Sequence, residues 1–238
     1  MGALWSALCL GGCASPPPPG IVRFDSARMP ARLDGPMPGT PLFNTAWDAL
    51  LAACPLILSQ RNATAGNAGA TNFDVRWRMS KEYCAWLYYA PDDRYALSKL
   101  VESSDATRNQ FEQGCRAPAF VQDPRYPPDS LKYLYFLHNH PATPTNLSER
   151  DLAALAKMAR IHGGYVETKA GRLPIGIVAF FSDGSSGNPA GCDGFYEYTY
   201  GSAEVVRWTP DDEGRWRRTQ AGIVTWDSET EFRFVPTR

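Results

Sequence analysis

Hydrophobic and polar positions follow two rhythms along this chain. Residues 133–137 and 175–181 are apolar and aromatic runs bounded by turn-forming residues, the composition of buried strands. Residues 82–89 read the same way. A turn at Pro91, Asp92, Asp93 and Arg94 separates them from a further strand over 95–101. Phe73, Val75, Trp77 and Met79 alternate with polar residues, which predicts a half-buried strand over 73–79. Towards the C-terminus, short aromatic-rich strands are expected at 195–200, 204–208, 215–219, 223–226 and 232–235. Residues 210–214 read as a hairpin turn between two of them.

Helical spacing occurs twice. Leu42, Ala46, Ala49, Leu50 and Ala53 form one apolar stripe, with Thr40 as the cap, Pro41 at the first helical position and Pro55 as the stop. In the second, Ser148 caps a helix whose Leu152, Leu155, Met158 and Ala159 share a face, and Gly163 with Gly164 closes it. Between these elements, 21–39 reads as an irregular lead-in and 60–72 as a loop. The stretch 103–128, with Gly114, Pro118, Pro124, Pro127 and Pro128, reads as a long irregular loop, of a kind that is usually functional or mobile. No internal repeat is evident.

Composition narrows the class. A chain of 238 residues with 44% hydrophobic and 12% aromatic residues supports one well-cored domain plus extensions. A formal net charge of −1 offers no electrostatic footprint for nucleic acid. The apolar run over residues 3–14 is too short to span a bilayer and suits a secretory signal. Leu10, Gly11, Gly12 and Cys13 resemble a bacterial lipobox, which would make Cys13 the lipidated residue. The usual Lys or Arg before the apolar run is missing. Residues 15–20, rich in proline, would serve as a stiff tether. The expected location is that of an exported bacterial membrane lipoprotein facing the periplasm, with a cytoplasmic protein as the alternative. Beyond Cys9 and Cys13 in that segment, Cys54, Cys84, Cys115 and Cys192 remain. Four cysteines allow three pairings, and the sequence does not choose among them.

The candidate chemistry is concentrated in one stretch. Of three histidines in the chain, His138 and His140 lie together at the end of the 133–137 strand. Side chains two apart on a strand share a face, so both imidazoles project together and Asn139 points away. Pro141 stops further pairing. Asp151, in the first turn of the helix capped by Ser148, can bend back toward them. Two imidazoles and one carboxylate make a three-ligand zinc site with an open position for water. His162 falls at the far end of the same helix, where a cation suits the dipole, and it reads as structural.

His138-x-His140-Pro141 followed by Ser148-x-x-Asp151 resembles the motif of the JAMM (JAB1/MPN/Mov34) metalloprotease family, in which a Glu lies upstream of both parts. The family often has Ser or Thr between the histidines, where this chain has Asn139. Glu82, followed by Ala85 and Leu87, matches the family's pattern of Glu, small residue and apolar run; Glu102 on the next strand is the rival. The resemblance implies an α/β fold, JAB1/MPN-like (cytidine-deaminase-like), with a mixed curved sheet and flanking helices over 40–185. A β-rich C-terminal extension would follow over 186–238. It implies Zn²⁺ held by His138, His140 and Asp151, Glu82 as general base, and Ser148 stabilising the oxyanion. The expected activity is that of a zinc metallopeptidase or isopeptidase acting on a peptide or protein substrate. The alternative is a non-catalytic MPN-like metal-binding or scaffold lipoprotein. A base beside the metal ligands distinguishes the two.

Overall fold

The computed structural model describes residues 17–24, 29–103, 114–143, 145–183, 191–228 and 231–237. The N-terminal apolar run with Cys9 and Cys13 lies outside them, as does part of the 103–128 stretch. In chain order the elements are β1 (Ile21–Arg23), β2 (Arg32–Asp34), α1 (Ala46–Leu58), β3 (Gly66–Asn67), α2 (Phe73–Met79), β4 (Tyr83–Tyr89), β5 (Tyr95–Leu97), β6 (Leu100–Glu102), β7 (Phe120–Gln122) and β8 (Lys132–Asn139). They continue with β9 (Ala142–Thr143), α3 (Glu149–His162), β10 (Tyr165–Thr168), β11 (Gly171–Pro174), β12 (Gly176–Phe181), β13 (Gly194–Thr199), β14 (Glu204–Pro210), β15 (Trp216–Trp226) and β16 (Phe232–Pro236).

Every residue of β4 and β12 is buried, and so is most of β8. Strands of this composition need partners on both edges and cover on both faces. They sit inside a ten-stranded sheet ordered β1-β6-β4-β8-β12-β13-β14-β15-β16, with β5 also on β4. β8 runs parallel to β12 and antiparallel to β4, so His138 has Ala179 on one side and Cys84 on the other. Paired residues share a face. Trp47 of α1 packs on Phe195, which pairs with Phe180, so α1 covers the Phe180 face. His138 looks out of the opposite face, where α3 begins. Leu152, Leu155 and Met158 bury the inner side of α3 against the core.

The expected α/β class does not hold. About 40% of the described residues are strand and 17% helix, with three helices among them, so the chain is mostly β around a large mixed sheet. The balance tips at both ends of that sheet. β13 adds antiparallel to β12, and β14, β15 and β16 follow in turn, so the C-terminal strands continue the central sheet. At the other edge β1, from a segment expected to be irregular, pairs parallel with β6. β2, from the same segment, pairs with β7.

Several local expectations are corrected. The first helix starts at Ala46, with Thr45 as its cap accepting the Asp48 N–H at 3.0 Å. Thr40 instead donates to the Met37 carbonyl in a turn. The helix also runs through Pro55 to Leu58. An interior proline costs about 3 kcal/mol. Burying Ile57 and Leu58, each worth about 1.5–3 kcal/mol, outweighs it. Residues 73–79 form a helix, not a strand: Phe73 and Trp77, four apart, stack at 6.2 Å on one side of it. The 95–101 strand breaks at Ser98, whose hydroxyl accepts the Trp86 N–H. The strands expected at 215–219 and 223–226 are one continuous β15. The β10–β11 hairpin was not foreseen.

Two disulfides lock this frame. Cys54 on α1 is joined to Cys192 just before β13, and Cys84 on β4 to Cys115.

Candidate metal centre

The end of β8 is held from three directions. Beyond the strand, the His140 N–H donates to the Phe180 carbonyl at 2.9 Å, continuing the ladder onto β12. Asn139, buried between the two histidines, turns to the other side of the sheet. Its side-chain oxygen accepts the Tyr83 N–H at 2.7 Å, and its amide donates to the carbonyls of Ala63 at 2.6 Å and Lys81 at 3.1 Å. With all its polar atoms engaged, Asn139 holds the alternation that turns His138 and His140 to one face.

Asp151 reaches the same point from α3. Ser148 and Asp151 form a capping box: Asp151 Oδ2 accepts both the N–H and the hydroxyl of Ser148, while the Asp151 N–H donates to Ser148 Oγ. The carboxylate is thereby turned back over the helix start. Its Oδ1 lies 3.3 Å from His138 Nε2 and its Oδ2 3.5 Å from His140 Nε2. The two Nε2 atoms are 3.1 Å apart. Tetrahedral bonds of about 2.0–2.1 Å would set ligand atoms roughly 3.3–3.4 Å from one another. These separations are close to that spacing, and the three residues form a group that could hold a metal ion. The Nδ1 of His140 lies 3.0 Å from the Thr145 carbonyl, which leaves Nε2 as the free donor atom. His138 Nδ1 is buried without a partner among the described residues.

Glu82, one residue before β4, lines the same cavity of about 150 Å³ as the triad and Ser148. It is 6% exposed. Burial raises its pKa against the pull of the His138 and His140 imidazoles. Asp151 goes the other way. Burial works to raise it, but the two imidazoles hold it well below the carboxylate range. For His140 burial works downward, and the hydrogen bond and charge of Asp151 carry it up to about 9. A carboxyl shifted upward by burial thus stands next to one shifted downward by its imidazole neighbours.

No family model and no curated protein matches this chain.

The chemistry is therefore carried by the residues in place. The rival Glu102 pairs with Arg23 at 2.9 Å and does not line the cavity. Ser148 does line it, but its hydroxyl hydrogen is spent on Asp151, so in this arrangement it positions a ligand. His162, the last residue of α3, packs among aromatic rings. Its ring lies 4.2 Å from that of Tyr133 and edge-on to Trp86 and Phe120, and burial pushes its pKa down.

Sequence reasoning missed Trp77, Cys115 and Arg150, which also line the cavity. Of these, only Arg150 left a local sign: a cation in the first turn of a helix opposes the dipole.

Proposed function

We propose that this chain is a zinc-dependent hydrolase that cleaves a peptide or isopeptide bond, with Glu82 as the general base. The observation that carries the reading is the shared cavity: the buried Glu82 carboxyl opens onto the same space as His138, His140 and Asp151. Two nitrogen donors and one oxygen suit zinc, which takes imidazole and carboxylate with a fourth position open. The order Glu82, His138-x-His140-Pro141, Ser148-x-x-Asp151 resembles the JAMM pattern in residue types and spacing. That resemblance lies in the ligand set and does not extend to the α/β architecture.

When bound, zinc supplies the Lewis acid that polarises the scissile carbonyl and eases deprotonation of water near neutral pH. The protein's residues do the rest. His138, His140 and Asp151 hold the ion, with Thr145 orienting His140 and Ser148 orienting Asp151. Glu82 takes a proton from the attacking water and gives it to the leaving amine. Its burial suits both halves of that task, because a raised pKa favours keeping the proton until the C–N bond breaks. The two disulfides support an oxidising compartment, in keeping with export.

The test is zinc content measured beside activity. Wild-type protein should hold one zinc per chain and cleave members of a mixed peptide library. His138→Ala and Asp151→Ala should lose the metal. Glu82→Gln should keep it while turnover falls by roughly 10²–10⁴. Zinc bound with no hydrolysis by the wild type would favour the metal-binding alternative.

A further inference from the structure

Among the described residues that line the candidate metal cavity, Arg150 is the one Lys or Arg. It sits in the first turn of α3, where a cation costs a few tenths of a kcal/mol or more against the helix dipole. Among the described residues it has no hydrogen bond and no ion pair that would offset that cost. Its guanidinium nevertheless has a defined seat. A Cβ added to Gly114 would lie 2.7 Å from Nη2, 2.8 Å from Cζ and 2.9 Å from Nη1. Three nearly equal distances mean that the guanidinium plane lies flat over Gly114, which has no side chain to displace it. Flat seating leaves the N–H edges free to point elsewhere. The seat itself is tied down: Cys115, next in sequence, is bonded to Cys84, and Cys84 pairs with His138 across the ladder. The glycine under the exposed Arg150 side chain is thus next to a residue bonded to the strand beside His138.

We propose that Arg150 is a specificity-determining residue that binds a free carboxylate on the residue released by cleavage, making the preferred substrate a peptide cut at its C-terminal amide. This rests on the hydrolase reading above. A guanidinium edge matches a carboxylate with two parallel hydrogen bonds. Among the described residues Asp151 is engaged by the histidines, and Glu82, which feels the charge of Arg150, forms no ion pair with it, so the guanidinium edge is open to a substrate carboxylate. The position of Arg150 places it: the residue lines the same cavity as the three candidate ligands and directly precedes Asp151 in the chain. A carboxylate held there belongs to the residue next to the scissile bond. Trp77, Pro141, Ala142 and Ala154 make the walls largely apolar, which suits an uncharged side chain. In the reaction, water oxygen bonds to the carbonyl carbon, and Glu82 carries the proton to the amide nitrogen. The C–N bond breaks, and the terminal amino acid leaves with its carboxylate on Arg150.

The test uses zinc-loaded full-length protein and a peptide library synthesised twice, ending in a free carboxylate or in a carboxamide. The free acids should be cleaved with kcat/KM higher by about 10–100-fold, the worth of a charge-assisted pair. In Arg150→Met that ratio should fall toward one, and Arg150→Lys should restore part of it. Gly114→Ala should lower the ratio while zinc content stays full, because the guanidinium loses its seat. Equal cleavage of both libraries by the wild type would overturn the proposal, as would an unchanged ratio in Arg150→Met. If the wild type cleaves neither library, the hydrolase reading fails, and Arg150 is then judged by binding. Zinc-loaded Glu82→Gln should bind an N-acetyl dipeptide acid more tightly than its amide. Loss of that difference in Glu82→Gln/Arg150→Met would sustain the carboxylate site, and no difference at the outset would remove it.

Discussion

The side-chain oxygen of Asn139 accepts the backbone N–H of Tyr83 at 2.7 Å, and this one bond ties the segment carrying both histidines to the residue that follows Glu82. The two histidines at the end of β8 and the proposed base just before β4 are brought together over more than fifty residues of chain. Asn139, whose side chain faces away from the metal, sets their spacing.

Asn139→Leu should therefore act on two levels. It leaves the Tyr83 N–H and the Ala63 carbonyl without their partner in a buried place, at about 1–3 kcal/mol for each unsatisfied group. Denaturant unfolding should show that loss. Zinc stoichiometry should hold, because the ligands stay on β8, while turnover falls as Glu82 shifts. A variant of wild-type stability and activity would show that Asn139 positions nothing.

The Cys54–Cys192 disulfide closes a separation of 138 residues and Cys84–Cys115 one of 31. Loop-closure entropy makes the longer one worth roughly 5 kcal/mol and the shorter roughly 4, with measured cases spread over about 2–5. Cys54→Ser/Cys192→Ser should thus lower the unfolding midpoint by at least as much as Cys84→Ser/Cys115→Ser. The second pair should do something the first does not: loosen the seat under Arg150 and alter substrate preference. Identical midpoints for oxidised and reduced protein would mean that neither bond constrains the chain.

The acid sensitivity of the fold should include a contribution from Asp123. Its buried carboxylate accepts the Tyr88 hydroxyl at 2.7 Å and Arg125 at 2.9 and 2.6 Å. Burial works to raise its pKa, but the bonds from Arg125 and Tyr88 outweigh that and hold it below its ordinary value. A carboxyl with a lowered folded pKa adds stability that is complete above its unfolded value of about 3.9 and is lost as pH falls through the folded value. Melting temperatures from pH 7 to pH 2 should fall steeply below about pH 4. Asp123→Asn should be less stable at pH 7 and show a shallower acid limb. Parallel limbs for both proteins would place the acid-labile group elsewhere.

Much of this was legible in the chain, for physical reasons that differ by element. β8 and β12 announced themselves because strands buried on both faces admit only apolar side chains until the functional residues begin. Ser148 and Asp151 were readable because a capping box is local, written within four residues. Thr40 with Pro41 misled for the same reason: it has the local form of a helix start, but Phe43 is drawn into a bridge with Tyr95 and the helix waits for Thr45. Residues 73–79 carry a two-residue alternation and a four-residue aromatic spacing at once, and the structure takes the second, with Phe73 stacked on Trp77. The mostly β balance was hidden because nothing in the C-terminal strands says that they add to β12. Arg150, Gly114 and Cys115 could not be read as one group, since a disulfide to β4 fixes Cys115 while Arg150 reaches Gly114 from α3.

Ser148 gives the sharpest test of how the centre is built, because two roles predict different losses. Its hydroxyl donates to Asp151 Oδ2 at 2.7 Å and accepts the Asp151 N–H at 3.2 Å. If it positions the ligand, Ser148→Ala removes a helix cap, worth about 1 kcal/mol. It also frees one side of Asp151, while the Ser148 N–H at 2.8 Å still holds Oδ2. Zinc affinity should then drop by about 10–100-fold, the usual cost of losing an outer partner of a ligand. Activity at saturating zinc should recover most of the way. If instead the hydroxyl turns from Asp151 to the oxyanion during reaction, zinc affinity should change little and kcat should fall by about 10²–10³ even with zinc saturating. Competition with a zinc-binding dye, run beside kcat at several zinc concentrations, separates the two. The hydrogen bonds in place favour the first outcome, with Ser148→Thr close to wild type because threonine keeps both the cap and the bond to Asp151. A large kcat deficit that added zinc cannot repair would reverse that assignment and return Ser148 to the reacting atoms.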